Sequence, residues 1–392
     1  MAGEVDHNNG DVVIGKKTRS FLSLGVGSRY FPLRVGRMEI SASAAAALGM
    51  GFFCLLLWVM VIYPSPSSTP PPAGPFSPAT SPNPEDDTKM QQHDISEDPE
   101  LIKVVQNAKM TTTAVGKGSL PPSEMVIITT INKAWAEPGS ILDLFLESFW
   151  SGDGTQELVR HLVIVSLDQK AHQYCQAVHP HCYALTTPGV SFTGTPATFK
   201  SDEFMRMVWR RMEFYTSVLK LGIDFVFTDV DIVWFRNPFP HFHEDADFQI
   251  ACDIYTGDDS ELHYNSMNGG FGFVRSNDRA RRFFQHWYDS RERFPGMHEQ
   301  DVLNKIKDEP FIDEIGLRVK VLDTDHFGGI CQPIKDLNVG CTMHATCCIG
   351  MESKIRALTA ILQDWKHFSS SPPESRNSTS FAWKPERTGC WI

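Results

Sequence analysis

The chain has 392 residues, of which 42% are apolar and 21% charged, and a net charge of -11. That length suits one large catalytic domain with accessory segments, and the composition is that of ordinary globular proteins. The acidic balance argues against a general nucleic-acid binder, and an acidic protein that handles anionic nucleotides needs a local device against repulsion, for which a bound metal cation serves.

Residues 1–39 read as a basic tail, with Lys16, Lys17, Arg19, Arg29, Arg34 and Arg37 and no acidic residue between 12 and 38. Residues 40–63 carry no charge and end in the strongly apolar run 51–62. As a helix they would reach roughly 36 Å, enough to cross a hydrocarbon core of about 30 Å. The run begins too late and is too long for a cleaved signal peptide, and it shows no amphipathic face that would suit a core helix. No Lys or Arg follows until Lys89, so the positive-inside rule predicts a cytosolic N-terminus and a signal anchor with everything beyond Tyr63 on the far side. Residues 64–120 read as a stem, disordered where nine prolines crowd 64–84, with a short helix expected around 101–109.

The folded core is expected over 121–368. Buried-strand runs are predicted at 125–130, 162–165 and 224–228, with helices at 141–149, 169–178 and 203–221, the last stopped by Gly222. Further elements are expected at 248–254, 270–274, 278–291, 299–307, 318–322 and 353–368. Continuously apolar strands separated by helices predict an α/β fold with a mostly parallel sheet covered on both faces. Ligands of such folds sit beyond the carboxyl ends of the strands. Thr129 and Thr130 fall at one such end, and Asp229-Val230-Asp231 at another.

Residues 369–392 read as a tail, with a glycosylation sequon at Asn377-Ser378-Thr379. Beyond Cys54 lie eight cysteines: Cys175, Cys182, Cys252, Cys331, Cys341, Cys347, Cys348 and Cys390. An even set in an oxidising lumen implies disulfides. A structural zinc held by Cys341, His344, Cys347 and Cys348 is the rival, weakened by the lack of a second matching pair.

Asp229 and Asp231 interrupt a run of buried-type residues from Phe225 to Phe239. Burying an unpaired carboxylate costs several kcal/mol, so both need compensation. In extended backbone the two would point the same way and converge on one hard cation, Mn²⁺ or Mg²⁺, which in turn takes oxygens from a diphosphate. An acidic turn, or an ion pair in a structural strand, is the plainer alternative.

The stretch Thr228-Asp229-Val230-Asp231-Ile232-Val233-Trp234-Phe235-Arg236-Asn237-Pro238-Phe239 resembles the signature of the plant nucleotide-diphospho-sugar transferase family, which includes cell-wall arabinosyl-, xylosyl- and galactosyltransferases. Asn268-Gly269-Gly270-Phe271-Gly272-Phe273-Val274-Arg275-Ser276-Asn277, Glu299-Gln300-Asp301-Val302-Leu303-Asn304 and Thr342-Met343-His344-Ala345-Thr346-Cys347-Cys348 match in order. The resemblance covers about 124–368. It implies a GT-A, Rossmann-like fold, Golgi type II topology, a metal-bound UDP-sugar donor and retention of anomeric configuration. Carried onto this chain, it makes Asp229 and Asp231 ligands of metal and diphosphate, with Asp231 the firmer, and His344 the third protein ligand, a set that suits Mn²⁺. His344 could equally be a packed histidine beside a disulfide.

Gln300 and Asp301 are expected to face the sugar, Asp301 binding a hydroxyl or stabilising positive charge at the anomeric carbon. Acidity at a helix N-terminus is the structural alternative. Asn268, Gly269 and Gly270 would let backbone approach a substrate closely or form a tight turn. Thr129 and Thr130 would meet the nucleoside. Arg211 would contact phosphate, unless Arg206, Arg210 and Arg211 simply form a solvated helix face. The expected activity is sugar transfer to a glycan or glycoprotein acceptor, with a catalytically silent luminal scaffold as the rival. Homo- or hetero-oligomerisation is compatible with both.

Overall fold

The computed structural model describes residues 94–112, 123–186, 200–376 and Cys390. The chain divides into two units, 1–86 and 87–392, and every described residue belongs to the second. The predicted tail and span at 1–63, the proline-rich part of the stem and the sequon at Asn377 lie outside the described residues. Among the described residues no helix is long and apolar enough to cross a membrane.

Helix α1 (Pro99–Ala108) starts from Asp98, whose side chain accepts from the Glu100 N–H. Its Leu101, Val105 and Ala108 form a buried stripe. Strand β1 (Met110–Thr112) then pairs antiparallel with the first residues of β2 (Ser123–Ile131). The folded unit therefore reaches back past the expected boundary at 121, because this short segment has an apolar face to bury and a free strand edge to fill.

The chain continues through α2 (Ile141–Ser151), β3 (Leu162–Ser166), α3 (Gln169–Val178) and β4 (Cys182–Ala184). Helix α4 (Asp202–Lys220) opens at Ser201, whose hydroxyl accepts from the Phe204 N–H. It stops where Gly222 takes a φ of 78°, a left-handed turn that glycine adopts without strain. Next come β5 (Asp224–Thr228), β6 (Ile232–Trp234), β7 (Phe248–Ile254) and β8 (Ser266–Val274). Helices α5 (Asp278–Asp289), α6 (Glu299–Ile306) and α7 (Pro310–Glu314) are followed by β9 (Val319–Val321), β10 (Phe327–Gly329), β11 (Thr342–His344) and α8 (Met351–Ser370).

The main sheet runs β4-β3-β2-β5-β8-β7-β9, with β1 beside β2. Strands β4, β3, β2 and β5 are parallel to one another. Strand β8 runs against both β5 and β7, while β9 is parallel to β7. The sheet is thus mostly parallel with one reversed interior strand. Residues alternate across it. Met125, Ile127 and Ile131 of β2 join a core with α2 and α8, whereas Val126 and Ile128 join a second core with α1, α4 and α5. Burial on both faces explains why these strands read as unbroken apolar runs.

A second, three-stranded sheet of order β10-β11-β6 was not foreseen. Disulfides join Cys175 to Cys182, Cys331 to Cys347 and Cys348 to Cys390. The expectation that the eight cysteines beyond Cys54 form an even disulfide set is corrected: Cys252 and Cys341 are buried free thiols. The zinc alternative fails as well, since Cys347 and Cys348 are each consumed in a disulfide.

Candidate metal and nucleotide-sugar site

Residues 229–231 leave the main sheet at the end of β5 and enter the small sheet at β6. The backbone there is a turn, not the extended strand expected, because the chain must pass from one sheet to the other. Convergence of the two carboxylates is achieved by register instead. Strand β11 lies antiparallel to β6 with His344 opposite Ile232, which sets the imidazole beside Asp231. On the other side the Asp229 N–H donates to the Gly270 carbonyl at 2.6 Å, and the Ala345 N–H donates to the Asp231 carbonyl at 3.0 Å.

The two carboxylates divide their oxygens between two tasks. Asp229 Oδ1 accepts from Arg211, and Asp231 Oδ2 accepts from the Lys354 ammonium. The other pair turns inward: Asp229 Oδ2 lies 3.7 Å and Asp231 Oδ1 3.2 Å from His344 Nε2. One donor atom from each of the three residues falls within 4.8 Å of the others, the spacing of a metal-ligand set. Both aspartates therefore do make protein ion pairs, as the plainer alternative required, yet each keeps an oxygen for a shared centre.

Electrostatics follow from burial. Asp231 is 2% exposed. Burial pushes its carboxyl up, but the charges of Lys354 and His344 outweigh this and hold it well below the usual carboxylate range. Burial pushes the His344 imidazole down, and Asp231 followed by Asp229 raises it above its ordinary value. Two carboxylates and an imidazole form a mixed oxygen–nitrogen set that fits a divalent ion such as Mn²⁺. The space is kept open by Gly270, where an added Cβ would stand 2.3 Å from His344 Cε1 and 2.8 Å from Asp229 Oδ2.

The remaining expected residues gather around this centre. Arg206 is exposed, but Arg211 is only 9% exposed, which corrects the solvated-face alternative for this residue. Its fork grips Asp229 and, at 2.6 Å, Glu299 Oε1, so both guanidinium ends are committed to carboxylates where a phosphate contact was expected. Burial pushes the pKa of its guanidinium down, but Asp229 and then Tyr215 and Glu299 more than reverse this and hold it above its ordinary value. Gln300 accepts from the Gly269 N–H at 2.9 Å and donates to Asp253 Oδ2 at 3.0 Å, while Asn268 donates to Asp253 Oδ1 at 3.0 Å. Asn268 also accepts from the Gly270 N–H at 2.8 Å. Asp301 is turned to Lys200 Nζ at 2.7 Å and His298 Nε2 at 3.3 Å. At the end of β2, Thr129 is fully buried and Thr130 half-buried.

Sequence reasoning missed Lys354, Glu299, Asp253 and Asn132. Glu299 lies inside a motif already singled out, and its burial under a helix start signals a partner. Asn132 ends a buried strand, and its Oδ1, like Thr129 Oγ1, is buried with no partner. A buried polar atom of this kind costs about 1–3 kcal/mol unless something bonds to it, which marks the end of β2 as a place for a polar ligand.

Two carboxylates and an imidazole thus converge beyond the end of β5, an interior strand of a mostly parallel α/β sheet. A sequence profile described as nucleotide-diphospho-sugar transferase matches residues 157–358. The Arabidopsis thaliana protein At1g28695, described as uncharacterized, is 39% identical over 275 residues, covering 69% of this chain and 80% of that protein. At4g15970, from the same organism and likewise described as uncharacterized, is 49% identical over 247 residues, 63% of this chain and 65% of its own length. The chain therefore belongs to the nucleotide-diphospho-sugar transferase family. A Dictyostelium discoideum UDP-galactose:fucoside alpha-3-galactosyltransferase is 40% identical over 74 residues, 17% of this chain and 11% of that enzyme. Among solved structures, galactosyltransferase LgtC in complex with donor and acceptor sugar analogs aligns with a TM-score of 0.38 at 11% identity, over 64% of this chain and 99% of that one.

Proposed function

We propose that this chain is a metal-dependent glycosyltransferase that moves a sugar from a UDP-sugar to a glycan or glycoprotein acceptor with retention, in cell-wall polysaccharide or glycoprotein synthesis. One observation carries the reading: in a member of this family, the inward oxygens of Asp229 and Asp231 converge with His344 Nε2. Asp229, Asp231 and His344 would hold the ion. When bound, Mn²⁺ or Mg²⁺ supplies Lewis-acid stabilisation of the departing diphosphate.

The chain's own residues do the rest. Arg211 fixes Asp229 from behind, and Gly270 leaves the centre its room. Thr130 and the unpartnered side-chain oxygen Oδ1 of Asn132 lie at the strand end where the nucleoside would dock. Gln300 and Asn268, locked together through Asp253, hold a polar wall for the sugar, and Asp301 would serve a hydroxyl or positive charge at the anomeric carbon once released from Lys200 and His298. In the transfer, the bond from the anomeric carbon to the diphosphate breaks and one to the acceptor oxygen forms. UDP departs with the bonding pair and the acceptor's proton. The proposal includes a Golgi setting, with a single type II span at 40–63 and the folded unit luminal.

The test is release of UDP from a panel of UDP-sugars with Mn²⁺, with and without EDTA. The expected result is EDTA-sensitive release that falls about a hundredfold or more in Asp231→Ala, as loss of several kcal/mol of charge stabilisation would give. Binding of a UDP-sugar without turnover, unchanged in Asp231→Ala, would favour a silent scaffold instead.

A further inference from the structure

The two protein cations at the acidic pair are not equivalent. Arg211 holds Asp229 and Glu299 together and could not withdraw without stranding two carboxylates, one of them, Glu299, 4% exposed. Lys354 is held more lightly. It lies in the first turn of α8, where its Nζ reaches Asp231 Oδ2 and, at 3.1 Å, the Ala345 carbonyl. Its side chain is 20% exposed, and the Trp135 ring lies 5.8 Å away on its flank.

From this arrangement we infer that Lys354 is the resident counter-cation of the metal-free site. It neutralises Asp231 until a divalent ion arrives, then gives up the carboxylate, so metal uptake is an exchange of cations rather than a simple addition. Asp231 is too deeply buried to stand unpaired. A lysine suits the exchange because its charge is a single point on a flexible stem, so retraction breaks one ion pair and one carbonyl hydrogen bond. Asp231 Oδ1 and His344 Nε2 stay in place for the incoming ion. The folded protein thereby tolerates the absence of metal, at the expense of metal affinity. The inference rests on the metal reading of the preceding subsection.

Lys354→Gln tests it, because glutamine keeps a long polar side chain and removes only the charge. Mn²⁺ binding to the full-length protein is measured by calorimetry without any donor, alongside thermal unfolding in EDTA and in saturating Mn²⁺. The Gln variant should bind Mn²⁺ about tenfold tighter than wild type, since no fraction of the site is blocked by the ammonium. It should also melt lower in EDTA and recover with Mn²⁺. Lys354→Arg, which retains the charge, should stay near wild type in EDTA. Equal or weaker Mn²⁺ binding by the Gln variant, or an unchanged melting temperature in EDTA, would overturn the inference. If Lys354→Gln does not fold, the double variant Asp231→Asn, Lys354→Gln leaves no unpaired carboxylate. Its recovery would support the exchange, and its failure would reduce Lys354 to a packing role. A wild-type protein that takes up no Mn²⁺ would sink the metal reading and this inference together, a result distinct from equal affinities.

Discussion

A methyl group at position 270 would fall 2.3 Å from His344 Cε1 and 2.8 Å from Asp229 Oδ2, closer than nonbonded atoms approach. Gly270 lies in β8, its carbonyl accepting from the Asp229 N–H and its own N–H donating to Asn268 Oδ1, so the backbone has little freedom to move away. Gly270→Ala should therefore keep its circular dichroism spectrum and lose calorimetric Mn²⁺ binding by at least about tenfold, as a displaced ligand would cause. Retained affinity would mean that His344 does not belong to the centre. The acidic pair was legible because two carboxylates inside an apolar run demand compensation. Its geometry was not. The sequence suggested extended backbone, whereas a turn between two sheets carries the motif and cross-strand register with β11 does the aligning. Lys354 was illegible for a simpler reason: it lies 123 positions from Asp231, and nothing local marks a lysine in an amphipathic helix as a site residue.

Helix and strand positions over 141–370 follow the periodicity closely where elements are long. The failures are the short ones. Strands β4, β6, β10 and β11 have three residues each, too few to show alternation, and three of them form the sheet that carries His344. The reversal of β8 was hidden because an apolar strand buried on both faces looks the same in either direction. At the turn from α3 to β4, His179 caps the helix and its Nε2–H donates to the Leu162 carbonyl at 2.6 Å. Burial pushes this imidazole down to about 4. The folded state therefore resists a proton that the unfolded chain accepts near its ordinary value of 6.5. Its contribution is complete above that value and lost progressively as pH falls toward about 4. Across that window the wild type should lose on the order of 3 kcal/mol more than a His179→Gln variant in urea titrations. Parallel pH profiles would show that His179 is not held neutral.

At the scale of the molecule, the acidic chain concentrates its compensation where it would meet an anion. Arg211, Lys354 and His344 surround Asp229 and Asp231, and a divalent ion would complete the balance. Three disulfides fasten the outer segments, two of them through the adjacent pair Cys347 and Cys348 just beyond His344. The luminal setting and the membrane anchor at 40–63 stay part of the proposal. The family was legible in the sequence because its four motifs follow one another in order. The donor and acceptor were not, because the roles proposed for these motifs concern metal and diphosphate, which are common to all such donors. The most direct measurement is an anomalous difference map from crystals soaked in Mn²⁺. The account predicts one strong peak within about 2.0–2.4 Å of Asp229, Asp231 and His344, with Lys354 drawn away from Asp231. A map with no peak there, and Asp231 still paired with Lys354, would contradict it.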